Sequence, residues 1–313
     1  MSVLELYILL FFSYMRNVYK KRTIFHNIRG EIHAFIFKRI DYRLLIAVAK
    51  VFSVMFNRNY GLNDSFSQTH NNILGFPCTV SHHFCVIRQR ILKKALLYDN
   101  KQLSKQLEIC AEEIRHYLNK QNIKSPVIFA PLHTVSDIIQ TVIAALVTKK
   151  PAVVVSLHDS MGMLEAKQNN NSQGISIEQF NPEVMEGNAG SGFHDVIFSL
   201  TENKKSLVIF PDAIPECTTK MAKKKMKTFS VKMFGKSCEL HTGLPVFSRL
   251  LKQKVLFYSL SLDQGNNLKL KVQDCAEHNE VEKKMPELIT DCIQNNSREW
   301  ILWHYTSFFS YNY

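Results

Sequence analysis

Long apolar runs, paired cysteines, glycine-rich phosphate loops and a serine nucleophile elbow are all missing from this chain, and each absence removes a class of function. The seven cysteines (Cys78, Cys85, Cys110, Cys217, Cys238, Cys275 and Cys292) are odd in number and scattered. None fall in Cys-x-x-Cys spacing, so neither a disulfide framework nor a zinc site is expected; reduced, mostly buried thiols in a cytoplasmic compartment fit best. The glycine cluster GNAGSG, Gly187 to Gly192, follows no tight strand–turn and carries no lysine, so it makes a poor phosphate cradle. His82 and His83 are adjacent, and adjacent helical side chains point about 100° apart, so no metal site and no cofactor are expected. Acidic residues are scarce, with 27 Asp and Glu against 39 Lys and Arg, a formal charge of +12 and a pI of about 9.3. Such a balance calls for an acidic partner: nucleic acid, anionic lipid or an acidic protein. No helix-turn-helix, zinc finger or RNA-binding aromatic strand accompanies it, so nucleic acid is not expected.

What is present begins with VLELYILLFFSYM, Val3 to Met15, an apolar stretch about half the length that spans a bilayer. Its basic flank, RNVYKKR, follows rather than precedes it, the reverse of a signal peptide. A surface anchor fits better, with apolar side chains at the acyl boundary and Lys/Arg at the headgroups. A second apolar helix is expected over Arg43 to Phe56, either as core or beside the first on lipid, and residues 1–56 together read as a membrane-associating segment. Residues 57–72 are polar and read as a loop, followed by helices from about Ser81 and over Leu103 to Lys120.

From Val127 the chain alternates. A strand leads into an amphipathic helix; Pro151–Ser156 is a β-branched run of the kind buried on both faces. MGMLEAKQ reads as helix, Gly174–Phe180 as strand, NPEVMEGNAGSGFHD as loop, VIFSLTENKK as a short helix and Ser206–Asp212 as a further strand. Lys254–Asp263 and Leu268–Asp274 alternate around QGNN as an antiparallel hairpin. With 313 residues, 46% of them hydrophobic, this predicts an α/β domain whose mixed, mostly parallel sheet is flanked by helices.

The chain is organised around VIFAPLHTVSD, Val127 to Asp137. His133 falls where a strand's carboxyl end meets a helix, the place where open α/β sheets put their chemistry. Ser136 or Thr134 is positioned to cap that helix. Asp137, four residues on, would hold the imidazole if the helical turn has already begun, leaving the other ring nitrogen to take a proton. The helix's first N–H groups would serve a developing oxyanion. Asp212, in PDAIPE, would orient an acceptor or cap its strand. KMAKKKMK supplies Lys220, Lys223, Lys224, Lys225 and Lys227, a solvated face or a holder of phosphates or acidic helices.

Several stretches together resemble the bacterial lipid A biosynthesis acyltransferases of the lysophospholipid acyltransferase superfamily. ILGFPCTVS is similar to that family's turn before its first large helix, and VIFAPLHTVSD to its strand bearing a His and a carboxylate. LVIFPDAIPE, VKMFGKSCELHTGLPVF and REWILWHYTSFF are similar to later segments, so the resemblance covers residues 70–309. It departs in two places: Asp137 stands one position early, with Ile138 at the family's carboxylate position, and VVVSLHDS has His158 and Asp159 nearby but no Arg. The resemblance implies a glycerolipid acyltransferase-like fold on the cytoplasmic face of a bacterial inner membrane. It implies acyl transfer from an acyl carrier protein or CoA thioester to a hydroxyl or amine of a membrane lipid or glycolipid. His133 and Asp137 would be catalytic, with Asp212, His158, Lys223, Lys224, Lys225, Gly235 and Thr242 binding substrate. Without a Gly-x-Ser-x-Gly elbow, direct transfer is expected rather than a covalent acyl-enzyme. The alternatives are an aminoacyl transferase acting on the same type of glycolipid, and an inactive membrane scaffold.

Overall fold

The computed structural model describes residues 31–32, 34–55, 61–76, 78–156, 176–181, 190–216, 218 and 226–305. In chain order these form α1 (Tyr42–Met55), α2 (Gly61–Leu74), α3 (His82–Leu97), α4 (Lys101–Lys120), β1 (Val127–Pro131), α5 (Asp137–Thr148), β2 (Ala152–Val155) and β3 (Ile177–Phe180). There follow α6 (Gly190–Thr201), β4 (Ser206–Val208), β5 (Thr228–Met233), β6 (Lys236–His241), α7 (Gly243–Leu251), β7 (Lys254–Leu262), β8 (Leu268–Ala276) and α8 (Val281–Asn295).

Six strands make one sheet in the order β3-β2-β4-β1-β7-β8, parallel throughout except for β8, which pairs antiparallel with β7. The expected mostly parallel α/β sheet is therefore present. β1 lies inside it, five positions of β1 pairing with Lys254–Tyr258 of β7, and every residue of β1 is buried. A strand covered on both faces must be apolar at both parities, which is why VIFAP shows no alternation. β5 and β6 form a separate two-stranded hairpin.

The sequence reading needs three corrections. Residues 57–72, read as loop, contain most of α2; Phe66, Thr69 and His70 recur at helical spacing and are buried, a sparse stripe among polar residues. α6 begins at Gly190, inside the stretch read as loop. The β5–β6 hairpin was not anticipated at all. The helix expected in MGMLEAKQ and the apolar segment at Val3–Met15 lie outside the described residues.

Caps and cross-links fix the helices. Ser81 Oγ accepts from Phe84 N–H (3.2 Å) at the start of α3, an interaction worth about 1 kcal/mol. Asn100, fully buried, caps α4 through Leu103 N–H (3.2 Å), and its amide also donates to Phe37 O and Ile40 O at 2.7 and 2.8 Å. One side of α1 joins the core through Tyr42, Ile46 and Ala49. Its other side, with Leu44, Val48, Val51 and Phe52, is exposed, as are Ile32 and Phe35 just before it.

Candidate active site at the carboxyl edge of the sheet

β1 and β4 are adjacent and parallel, with Phe129 opposite Val208, so the segments leaving them emerge side by side. The first carries His133 and the second Asp212. Asp212 Oδ1 meets His133 Nδ1 at 2.8 Å, while Oδ2 accepts the His133 backbone N–H at 2.9 Å. One carboxylate thus holds both the ring and the main chain of the same histidine. Oδ2 also accepts the indole N–H of Trp300 at 2.7 Å. Asp212 and Trp300 are both fully buried. Phe210 stacks at a tilt against the imidazole, ring centres 4.6 Å apart.

Asp137 does not hold the ring. The helical turn that would bring it under His133 has not begun: α5 starts at Asp137 itself. Between them Thr134 N–H donates to Leu132 O and Ser136 N–H to Thr134 O, each at 2.6 Å. These three-residue turns, with Val135 at φ +56°, break the helical register. Asp137 nonetheless lines the same cavity as His133. Ser136 occupies the cap position of α5 but makes no side-chain cap hydrogen bond.

Burial of the His133 ring works against its charged form, but the Asp212 and Asp137 carboxylates outweigh it and the pKa rises to about 9. With Nδ1 committed to Asp212, Nε2 is the nitrogen available to a substrate. The His133 side of the site belongs to a cavity of about 550 Å³, within the range of small-molecule sites. Apolar side chains from β2, the segment following β4, α7 and the C-terminal segment line it, among them Val154, Ile209, Phe210, Phe247 and Leu302. Its polar members besides His133 and Asp137 include His82, His241, Thr242, Lys227 and His304, whereas Asp212, expected to bind substrate, is fully buried and does not line it. His241 is pushed down to about 4 by burial. His304 falls to about 4 through burial and the neighbouring His82, whose ring centre lies 4.4 Å away. These two imidazoles are neutral at neutral pH, whereas His133 is the ring held as a cation.

Thr242 sits at the start of α7 on the cavity wall, its N–H and Oγ1 both donating to Lys227 O at 3.1 and 3.3 Å. Gly235 does not join it: with φ +71° it makes the exposed β5–β6 turn and is not among the cavity-lining residues. His158 and Lys223, Lys224 and Lys225 lie outside the described residues; of the lysine run, Lys227 reaches the cavity. The sequence reading missed Trp300 as a dyad partner. The signal available was its company: both of the chain's tryptophans fall in the tail, at positions 300 and 303. Among the described residues no cluster of His, Cys, Asp and Glu has metal-binding geometry.

No family model matches the chain, and no curated protein is similar to it.

Proposed function

We propose that the chain is a membrane-associated acyltransferase that moves an acyl group from a carrier thioester to a hydroxyl or amine of a membrane lipid or glycolipid. The observation that carries this reading is a His–Asp pair opening into a large apolar cavity at the carboxyl edge of the sheet. An acyl chain in that cavity gains about 0.8 kcal/mol for each methylene removed from water. The acceptor's proton passes to His133 Nε2 as its oxygen or nitrogen attacks the thioester carbonyl. The tetrahedral adduct then collapses, the carbon–sulfur bond breaks, and the leaving thiolate regains the proton from the imidazolium. Asp212 fixes the tautomer and stabilises the transient cation. The resemblance to the lipid A acyltransferases supports the choice of a glycolipid acceptor and of an acyl carrier protein or CoA donor.

The decisive experiment supplies the full chain with acyl carrier protein or CoA thioesters and a lipid A-type acceptor in mixed micelles. Acylated product that disappears with His133→Ala supports the reading. No transfer to any hydroxyl or amine acceptor overturns it.

The pH dependence has a definite sign. The base form of His133 is populated only above its pKa, so kcat/KM should climb about tenfold per pH unit and level off near pH 9. An acyl chain in the cavity excludes water further and disfavours the imidazolium, so the kcat profile should lie at lower pH than the kcat/KM profile. A profile that falls between pH 7 and 9 would rule out His133 as the proton acceptor.

Membrane association draws on the exposed apolar side chains of residues 32–52, which lie beside the exposed Lys38, Arg39 and Lys50. Among the described residues no helix is long and apolar enough to cross a bilayer, so contact from one side is the mode proposed. Val48→Glu with Phe52→Glu should release the protein from phosphatidylglycerol-containing vesicles in a flotation assay. Unchanged flotation would remove this face from the reading.

A further inference from the structure

Residues 299–301 grip the dyad from the far end of the fold. Val135 N–H donates to Glu299 O at 3.0 Å and Ile301 N–H to His133 O at 2.9 Å, while Thr134 and Trp300 form an isolated antiparallel bridge. Between these backbone ties the Trp300 indole N–H reaches Asp212 Oδ2 at 2.7 Å. The turn being gripped is strained: Val135 is β-branched, fully buried and at φ +56°. A conformation of that kind costs on the order of 1–3 kcal/mol and persists only where its surroundings over-determine it. Trp300 is itself held edge-on against Trp303, ring centres 4.6 Å apart, and Trp303 N–H is anchored to Ser297 O at 2.7 Å. Trp300 is not among the cavity-lining residues, so its effect on a substrate is indirect.

We propose that Trp300 acts on the dyad as a positioning residue through Asp212: its indole N–H, the second donor on Oδ2 beside the His133 backbone N–H, sets the basicity of the carboxylate whose Oδ1 faces His133 Nδ1. The proposal rests on His133 as the proton acceptor. Without the indole donor, Oδ2 keeps the His133 backbone N–H and so keeps its place. The carboxylate's negative charge is then shared with one donor fewer and attracts the imidazolium more strongly.

The test is a titration of the full chain labelled with nitrogen-15, reading the His133 ring by NMR, with His133→Ala as the assignment control. Trp300→Phe preserves the aromatic packing and removes the donor. The His133 midpoint should rise by about half a unit or more, and kcat/KM at neutral pH should fall by the matching factor of about three, since one unit is tenfold. Recovery of the rate at higher pH completes the signature. An unmoved midpoint, with only a lower melting temperature, makes Trp300 a packing residue and overturns the proposal. Should Trp300→Phe fail to fold, the unsubstituted protein still decides. Its Trp300 indole resonance, identified with Trp303→Phe, must titrate with the same midpoint as His133, and a flat resonance overturns the proposal. Both titrations are independent of substrate, so failure to find acyl transfer sinks the proposed function and leaves this result standing.

Discussion

His133→Ala should lower turnover by about 10²–10⁴-fold with little change in substrate binding, and Asp212→Asn should cost a comparable factor. Asn at position 212 keeps one accepting oxygen but carries no charge, so an imidazolium at His133 loses its counter-charge. The double variant should be scarcely worse than the worse single one, because the two side chains act as a unit. Asp137→Asn should behave differently. It removes one of the two charges that raise the His133 pKa, so the rise in kcat/KM should move to lower pH without loss of the plateau. Steady-state kinetics across pH 6–10 separate the two carboxylates. A nearly silent Asp212→Asn beside a severe Asp137→Asn would reverse their roles and refute the geometry described above.

Arg88→Ala should lower stability severely. Arg88 is 1% exposed, forms an ion pair with Glu299, and lies with its guanidinium carbon 5.7 Å from the Phe84 ring centre. Removing Arg88 strands the Glu299 carboxylate, whose side chain is 15% exposed, and costs up to about 3–5 kcal/mol, the figure for a fully buried pair. For a chain of this size that corresponds to a melting-temperature drop of roughly 5–8 °C. Arg88→Met combined with Glu299→Leu should regain much of the loss, since the cost arises from the stranded charge. Scanning calorimetry of the three variants checks this; a single-variant loss under about 1 kcal/mol would mean the pair is effectively solvated. Because Glu299 adjoins Trp300, the same change should loosen the grip on the strained Val135 turn.

The parallel sheet was legible because its strands are buried on both faces: VIFAP and AVVV admit no polar residue, and the helices between them carry clear apolar stripes. The β5–β6 hairpin was not, for TFSVKM and KSCELH are half-exposed, their alternation blurred by lysines and by apolar residues on the wetter side. His133 could be singled out because a histidine at a strand's carboxyl end has local context. Its partner could not be assigned from spacing. Asp137 looked like the partner because helical spacing was assumed to begin at His133, and the left-handed Val135 that breaks this register is a residue type that rarely adopts such a backbone. Asp212 and Trp300 are 79 and 167 positions from the histidine, and no periodicity reaches across such distances.

Those separations also set an order of events during folding. His133 and Asp212 close a loop of 79 residues, and Asp212 and Trp300 one of 88, and neither contact returns energy until the loop is shut. β1 adds a third distant pairing, since its partner β7 begins at Lys254. Local helices such as α4, rich in contacts between near neighbours, can form in isolation, whereas the dyad requires three remote segments at once. The histidine, its carboxylate and the indole that steadies them therefore carry the same loop-closure cost as the sheet pairings beside them, and close more slowly than the local helices. A chain lacking any one of the three segments would have no His133–Asp212–Trp300 contact.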